Sequence, residues 1–205
     1  LKHYAGGRGP MLRLNNEFMY LAYDLARAGG VKTGYHGELY ENAYWEDALG
    51  IYQPKNHQAA MDSVQIWTRW WNRLEQNGTK MLFIPAPSKA IHRPENLPNL
   101  SQPNANYHWL KTHAPQANKH VLDVQSWFDQ AADSAKFPLI PKHGIHWSYY
   151  GEQLFLDSLL KRMESLGLKG LPELQFKGME SSHWARFRDD DLEKGMNLIF
   201  NRKDE

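Results

Sequence analysis

The segment from about Asn56 to Ile84 constrains the fold most. Ala60, Val64, Trp67, Trp71 and Leu74 recur at steps of four, three, four and three, which is one face of a helix with 3.6 residues per turn. Asn77-Gly78 then supplies a left-handed stop. Lys80-Met81-Leu82-Phe83-Ile84 follows as a short apolar run, and Pro85 and Pro87 bar it from continuing as an interior strand. Helix, tight turn, buried strand and polar loop make half of an α/β unit. In open α/β sheets ligands sit in the loop that leaves a strand's carboxyl end, here Ala86-Pro87-Ser88-Lys89-Ala90.

The rest of the chain repeats this alternation. A loose helix is expected over residues 11–26, stopped by Gly29-Gly30, then a short hairpin from Val31 to Tyr40 and a brief helix from Ala43 to Leu49 closed by Gly50. Pro94, Pro98 and Pro103 mark a surface loop, and Tyr107 to His113 reads as helical. His120-Val121-Leu122-Asp123-Val124 reads as a second buried strand, followed by a helix from Ser126 to Ala132. An irregular loop from Pro138 to Ser148 precedes a helix from about Tyr150 to Leu166, striped by Phe155, Leu156, Leu159, Leu160 and Met163. Beyond it lie Leu174-Gln175-Phe176, an acidic turn at Asp189-Asp190-Asp191, and a strand-like run from Met196 to Phe200. The expected fold class is α/β in one domain, with residues 1–50 as an entry segment.

Composition narrows the function. The 24 Lys and Arg against 23 Asp and Glu give a net charge of +1 with no basic block, so nothing forms an electrostatic footprint for nucleic acid. No run approaches the ~20 apolar residues of a membrane span. The chain has no cysteine, which excludes thiol catalysis, thiolate metal sites and disulfides without choosing a compartment. It opens at Leu1 with no signal-like start, so any targeting segment is expected to precede it.

His143-Gly144-Ile145-His146-Trp147-Ser148 is the most chemical stretch. An imidazole held in such a loop titrates near neutral pH and suits a general base, although two histidines in a purely structural loop fit the same letters. A zinc site would want a third ligand, and no such pattern surrounds His143 and His146. Lys89, in its Pro-Ser-Lys loop, is a candidate to hold a carboxylate-bearing sugar or an oxyanion, against the alternative of a solvated lysine. Trp67 and Trp71 fall on the apolar stripe and read as core. Trp109, Trp147 and Trp184 each follow a His and are the candidates for stacking on sugar. Asp189-Asp190-Asp191 reads as a helix start. No Gly-x-Ser-x-Gly or Gly-Asp-Ser occurs, so the chain carries no serine-nucleophile signature.

Several stretches together resemble one family. They are Leu12-Arg13-Leu14-Asn15-Asn16, Gly37 to Tyr44, Ala86-Pro87-Ser88-Lys89, Gly144-Ile145-His146-Trp147-Ser148 with Tyr150-Gly151, and Asp190 to Gly195. This pattern, spread over nearly the whole chain, is similar to the SGNH-hydrolase-like proteins related to bacterial alginate and exopolysaccharide O-acetyltransferases. The resemblance implies a sandwich with a largely parallel sheet. It implies Ser-His-Asp chemistry moving acetyl groups onto or off polysaccharide hydroxyls in the periplasm or outside the cell, with a membrane-bound acyl-donor protein as a possible partner and no cofactor or metal.

The family's His-Trp pair falls on His146 and Trp147, making His146 the implied base. Lys89 falls in the family's Pro-x-Lys loop, and Ser88, Lys89, His143 and Trp147 are the candidate substrate-binding residues around His146. Two departures stand out. Gly144 holds the place where the family has an Asp two residues before the His, so the orienting carboxylate must come from Asp123 or from residues 189–191, or be absent. The family's Gly-Asp-Ser turn follows the His in chain order and does not occur here, so the resemblance implies a domain incomplete at its C-terminal side, with the serine outside this chain. Without that serine, the competing function is a non-catalytic carbohydrate-binding or polysaccharide-export accessory protein on the same fold.

Overall fold

A computed structural model describes residues 7–100, 106–114, 120–175, 178, 180 and 189–200. Eight α-helices appear among them: α1 (Arg8–Tyr23), α2 (Asn42–Ala48), α3 (His57–Gln76), α4 (Lys89–His92), α5 (Asn106–His113), α6 (Val124–Ala132), α7 (Tyr149–Ser165) and α8 (Asp191–Met196). One hairpin joins β1 (Val31–Thr33) to β2 (Leu39–Glu41), antiparallel, with Val31 opposite Glu41 and Thr33 opposite Leu39.

The helices begin and end where local chemistry dictates. The Asn56 side chain accepts from the Ala59 amide to start α3, and Gly78 turns out of it at φ +79, a conformation that glycine adopts without strain. Ser148 does the same for α7 by accepting from the Gly151 amide. Asp123 accepts from the Ser126 amide and so starts α6 at Val124.

That last cap bears on the largest correction. The expected sandwich with a largely parallel sheet does not form; the described residues are mostly helical, and their single sheet is the antiparallel pair β1–β2. The two runs expected as buried strands do meet, but in one parallel bridge, Phe83 to Val121. Its bonds run from the Phe83 amide to the His120 carbonyl (2.6 Å) and from the Leu122 amide to the Phe83 carbonyl (2.9 Å). Pairing stops there for local reasons. Pro85 and Pro87 lack the donors a ladder needs, and the Asp123 cap turns the second run into helix. The final apolar run is not a strand either. Met196 ends α8, Asn197 is left-handed at φ 53, and the Ile199 and Phe200 amides bond the Glu17 carboxylate.

Four apolar clusters hold the elements together. Tyr40, Trp45, Ala90 and Leu97 tie β2 to α2 and α4, while Tyr20, Leu39, Leu192 and Met196 tie α1 to β2 and α8. Val64 and Trp71 of α3 meet Ala114 and Phe83. Val124, Phe128, Leu139 and Ile140 form the base on which Trp147 and Phe155 of the α7 region sit. Each large side chain buried this way contributes about 1.5–3 kcal/mol. Trp67, expected in the core, is half exposed because Val64 and Trp71 alone form the buried edge of α3.

Candidate active site

The loop before α7 is closed at its base by three polar contacts. The Ser148 amide bonds the Leu139 carbonyl (2.9 Å), its hydroxyl donates to the Pro138 carbonyl (2.6 Å), and the same oxygen accepts from the Gly151 amide (3.0 Å). Gly151 allows the approach, since a Cβ at that position would lie 2.5 Å from the Leu139 oxygen. From this base the side chains diverge. Trp147 turns inward onto Phe128 and Phe155 and donates its indole N–H to the Pro87 carbonyl at 3.0 Å. His146 turns outward, with its side chain 51% exposed.

Helix α8 supplies the partner for that ring. Asp191, in its first turn, accepts from the Ile145 amide through Oδ1 (2.8 Å) and engages His146 Nδ1 through Oδ2 (2.6 Å). An ionised carboxylate only accepts, so Nδ1 carries the proton and the lone pair of the neutral ring is left on Nε2. One carboxylate thus fixes both the loop backbone and the tautomer of a half-exposed imidazole, the arrangement a general base needs.

Below it lies a buried second pair. His143 Nδ1 is 3.4 Å from Glu193 Oε2, both side chains about 5% exposed or less, and the Glu193 amide bonds the His143 carbonyl at 3.3 Å. Asp191 and Glu193 therefore clamp α8 to the two ends of the His143–His146 stretch. Sequence reasoning missed Glu193 altogether. It left the carboxylate open between Asp123, residues 189–191 and none at all.

Asp123 is engaged elsewhere. Burial would raise its carboxyl, but hydrogen bonds from Lys111, the Ser126 amide and hydroxyl, and Tyr107 outweigh that and hold it down to about 2. Its partner Lys111 lies 2.6 Å away.

Lys89 also departs from expectation. Its side chain is only 3% exposed, and its ammonium donates to the Leu39 carbonyl (2.9 Å) and the Lys142 carbonyl (2.8 Å), 3.7 Å from the buried Glu38 carboxylate. Arg93 takes the other oxygen of Glu38 at 2.6 Å. Lys89 therefore ties β2, α4 and the base of the histidine loop together rather than presenting a cation to a ligand. Neighbouring Ser88 has a buried hydroxyl with no partner among the described residues. The structure thus joins the Pro-Ser-Lys loop to the His-Trp loop, through Lys89 to Lys142 and Trp147 to Pro87, and leaves the His146 ring half exposed with Asp191 beside it.

Of the tryptophans considered for sugar stacking, Trp147 faces the core, Trp109 stacks on His113 at 5.0 Å against the α3 cluster, and Trp184 lies outside the described residues. Among the described residues, no group of three or more His, Asp or Glu is placed to hold a metal ion, and no helix is long and apolar enough to cross a membrane.

No protein-family model and no curated protein sequence matches the chain. Among solved structures, its fold is similar to the O-acetyltransferase domain of Pseudomonas putida AlgJ, with a TM-score of 0.53 and 20% identity over 70% of this chain and 50% of that chain. At that identity the likeness is one of fold. The chain spans half the length of the protein it matches.

Proposed function

We propose that His146 and Asp191 are the base and orienting carboxylate of an acyl-transfer site in a polysaccharide O-acetyltransferase or acetylesterase. The observation that carries this reading is the 2.6 Å contact between His146 Nδ1 and Asp191, on a ring that is half exposed. Its fold likeness to an O-acetyltransferase domain supports the choice of acetyl chemistry. The nucleophile this reading requires is a serine whose hydroxyl reaches His146 Nε2. Its hydroxyl passes a proton to His146 Nε2 as the oxygen attacks the acetyl carbonyl, and the leaving alkoxide takes that proton as the acyl-enzyme forms. A sugar hydroxyl, or water in an esterase, then repeats the step in the second half-reaction. The imidazolium formed in each half is stabilised by Asp191. The acetyl group is delivered outside the cytoplasm by a membrane-bound donor protein.

The test is acetyl transfer and acetate release by the native full-length protein on O-acetylated and free oligosaccharides. His146→Ala is expected to lower kcat by about 10³-fold or more, and Asp191→Asn by up to about 10⁴-fold with KM little changed. A His146→Ala variant within threefold of the native rate would remove the proposal. Binding of an anionic glycan without turnover, unchanged by that substitution, would instead identify a non-catalytic carbohydrate-binding protein.

A further inference from the structure

Helix α8 carries Asp191 at its first position and is six residues long, about 9 Å. A helix that short has no stability of its own, so the place of Asp191 beside His146 is set by whatever holds α8. Near its entering end the Glu193 side chain lies against His143. Its leaving end is held by α1, from the opposite end of the chain.

Arg13, Asn16, Glu17 and Tyr20 stand at i, i+3, i+4 and i+7 of α1, which is one face of a helix. All four reach α8 or the segment that leaves it. Arg13 Nε donates to the Asn197 side chain (3.1 Å) and Asn16 to the Met196 carbonyl (2.9 Å). Tyr20 packs in the cluster that holds Leu192 and Met196. Glu17, buried, accepts through one carboxylate oxygen from the Ile199 amide (3.1 Å) and the Phe200 amide (3.4 Å). Asn197 is left-handed at φ 53, and the turn it makes brings those two amides to Glu17. Hydrogen bonds to a charged acceptor are about twice as strong as neutral ones, and Glu17 makes two.

We propose that Glu17 is a positioning residue for the His146 ring. By gripping the chain beyond α8 it keeps Asp191 against Nδ1, and so keeps the lone pair of the ring on Nε2. The route runs from the Glu17 carboxylate to the backbone of residues 199 and 200, along α8, and out through Asp191, whose two oxygens meet the Ile145 amide and the His146 ring at 2.8 and 2.6 Å. A six-residue helix moves as one body, so loosening its leaving end tilts its first residue away from the ring. The consequence for catalysis rests on the acyl-transfer reading above; the consequence for the ring does not.

Nitrogen NMR of the His146 ring, at a pH where free histidine is neutral, reads which nitrogen holds the proton. Glu17→Met keeps most of the volume and removes both bonds. It is expected to lower the share of His146 protonated on Nδ1 about twofold or more and, in the acetyl-transfer assay, to lower kcat about tenfold with KM little changed. Glu17→Gln keeps an acceptor oxygen and is expected to restore most of both. Leu14→Ala, on the exposed side of the same helix, is expected to leave both native. If Glu17→Met does not fold, Arg13→Met with Asn16→Ala loosens the same end of α8 from less buried positions, with the same result expected. A lowered urea midpoint with native His146 signals in these inner-face variants would overturn the proposal. A displaced tautomer in a protein whose native form transfers no acetyl group would uphold the role of Glu17 and remove the acyl-transfer reading instead.

Discussion

Replacing Lys89 by Met separates a structural role from a ligand-binding one. Met retains most of the volume but donates nothing, so the Leu39 and Lys142 carbonyls each lose a charge-assisted bond of 2.9 and 2.8 Å. Glu38, its side chain 4% exposed, keeps Arg93 as its remaining partner at 2.6 Å. Breaking a buried charge pair from one side costs about 3–5 kcal/mol. The surviving Arg93 contact, and the second donor that the Lys142 carbonyl has in the Leu39 amide, put the loss at the lower end, about 3 kcal/mol. With a urea slope of about 2 kcal/mol per molar, the unfolding midpoint falls by about 1.5 M. Adding Glu38→Gln removes the buried carboxylate that lost Lys89 together with its Arg93 ion pair, so the two substitutions are expected to be non-additive, a coupling that neighbouring groups show. A Lys89→Met midpoint within about 0.2 M of native, accompanied by weakened glycan binding, would refute this reasoning and return Lys89 to the substrate.

Two further substitutions probe the frame of the site. Gly151→Ala adds a Cβ 2.5 Å from the Leu139 carbonyl oxygen; backbone cannot swing aside, so the overpacking outweighs the helix propensity gained by about 1–2 kcal/mol. Calorimetry should then show Tm lowered by about 3–6 °C, and a raised Tm would mean that α7 does not rest on that carbonyl. His92, buried against Phe128, is held below the ordinary histidine value by burial, against the opposing pull of Asp129. The unfolded chain therefore binds this proton near pH 6.5 while the folded chain does not, and stability falls as pH drops below about 6.5, until folded His92 itself protonates. Urea midpoints at pH 7.5 and 5.5 should fall further for the native protein than for His92→Gln; equal falls would show that this proton does not contribute.

What could be read from the sequence was what local chemistry controls. The apolar period of α3, the Asn77-Gly78 stop after it, the hairpin from Val31 and the helix after Ser148 all form within a residue or two of their expected places. The parallel sheet could not be read correctly, because an apolar run of five residues does not say whether it will pair. Lys80–Ile84 and His120–Val124 carry strand-like letters, yet prolines after one and a helix cap inside the other leave them a single bridge. The surroundings of Lys89 were not legible for a related reason: a lysine in a proline-rich loop looks solvated until the carbonyls of Leu39 and Lys142 are brought to it from 50 and 53 residues away.

The carboxylate beside His146 joins these two kinds of information. Gly144 stands two residues before His146 and carries no charge. The carboxylate arrives through the fold. Tyr20 and Leu39 pack on Leu192 and Met196 and so seat α8 beside the histidine loop, and Glu193 fixes its depth through His143. Asp190 precedes the helix and bonds Lys194 at 2.7 Å, while Asp191, at the first position of α8, meets both the Ile145 amide and the His146 ring. A carboxylate carried on a separate helix holds the imidazole only while that helix stays docked. In the site proposed above, proton transfer at His146 is therefore coupled to the packing of α1, β2 and α8, and substitutions in that cluster should lower activity before they unfold the protein.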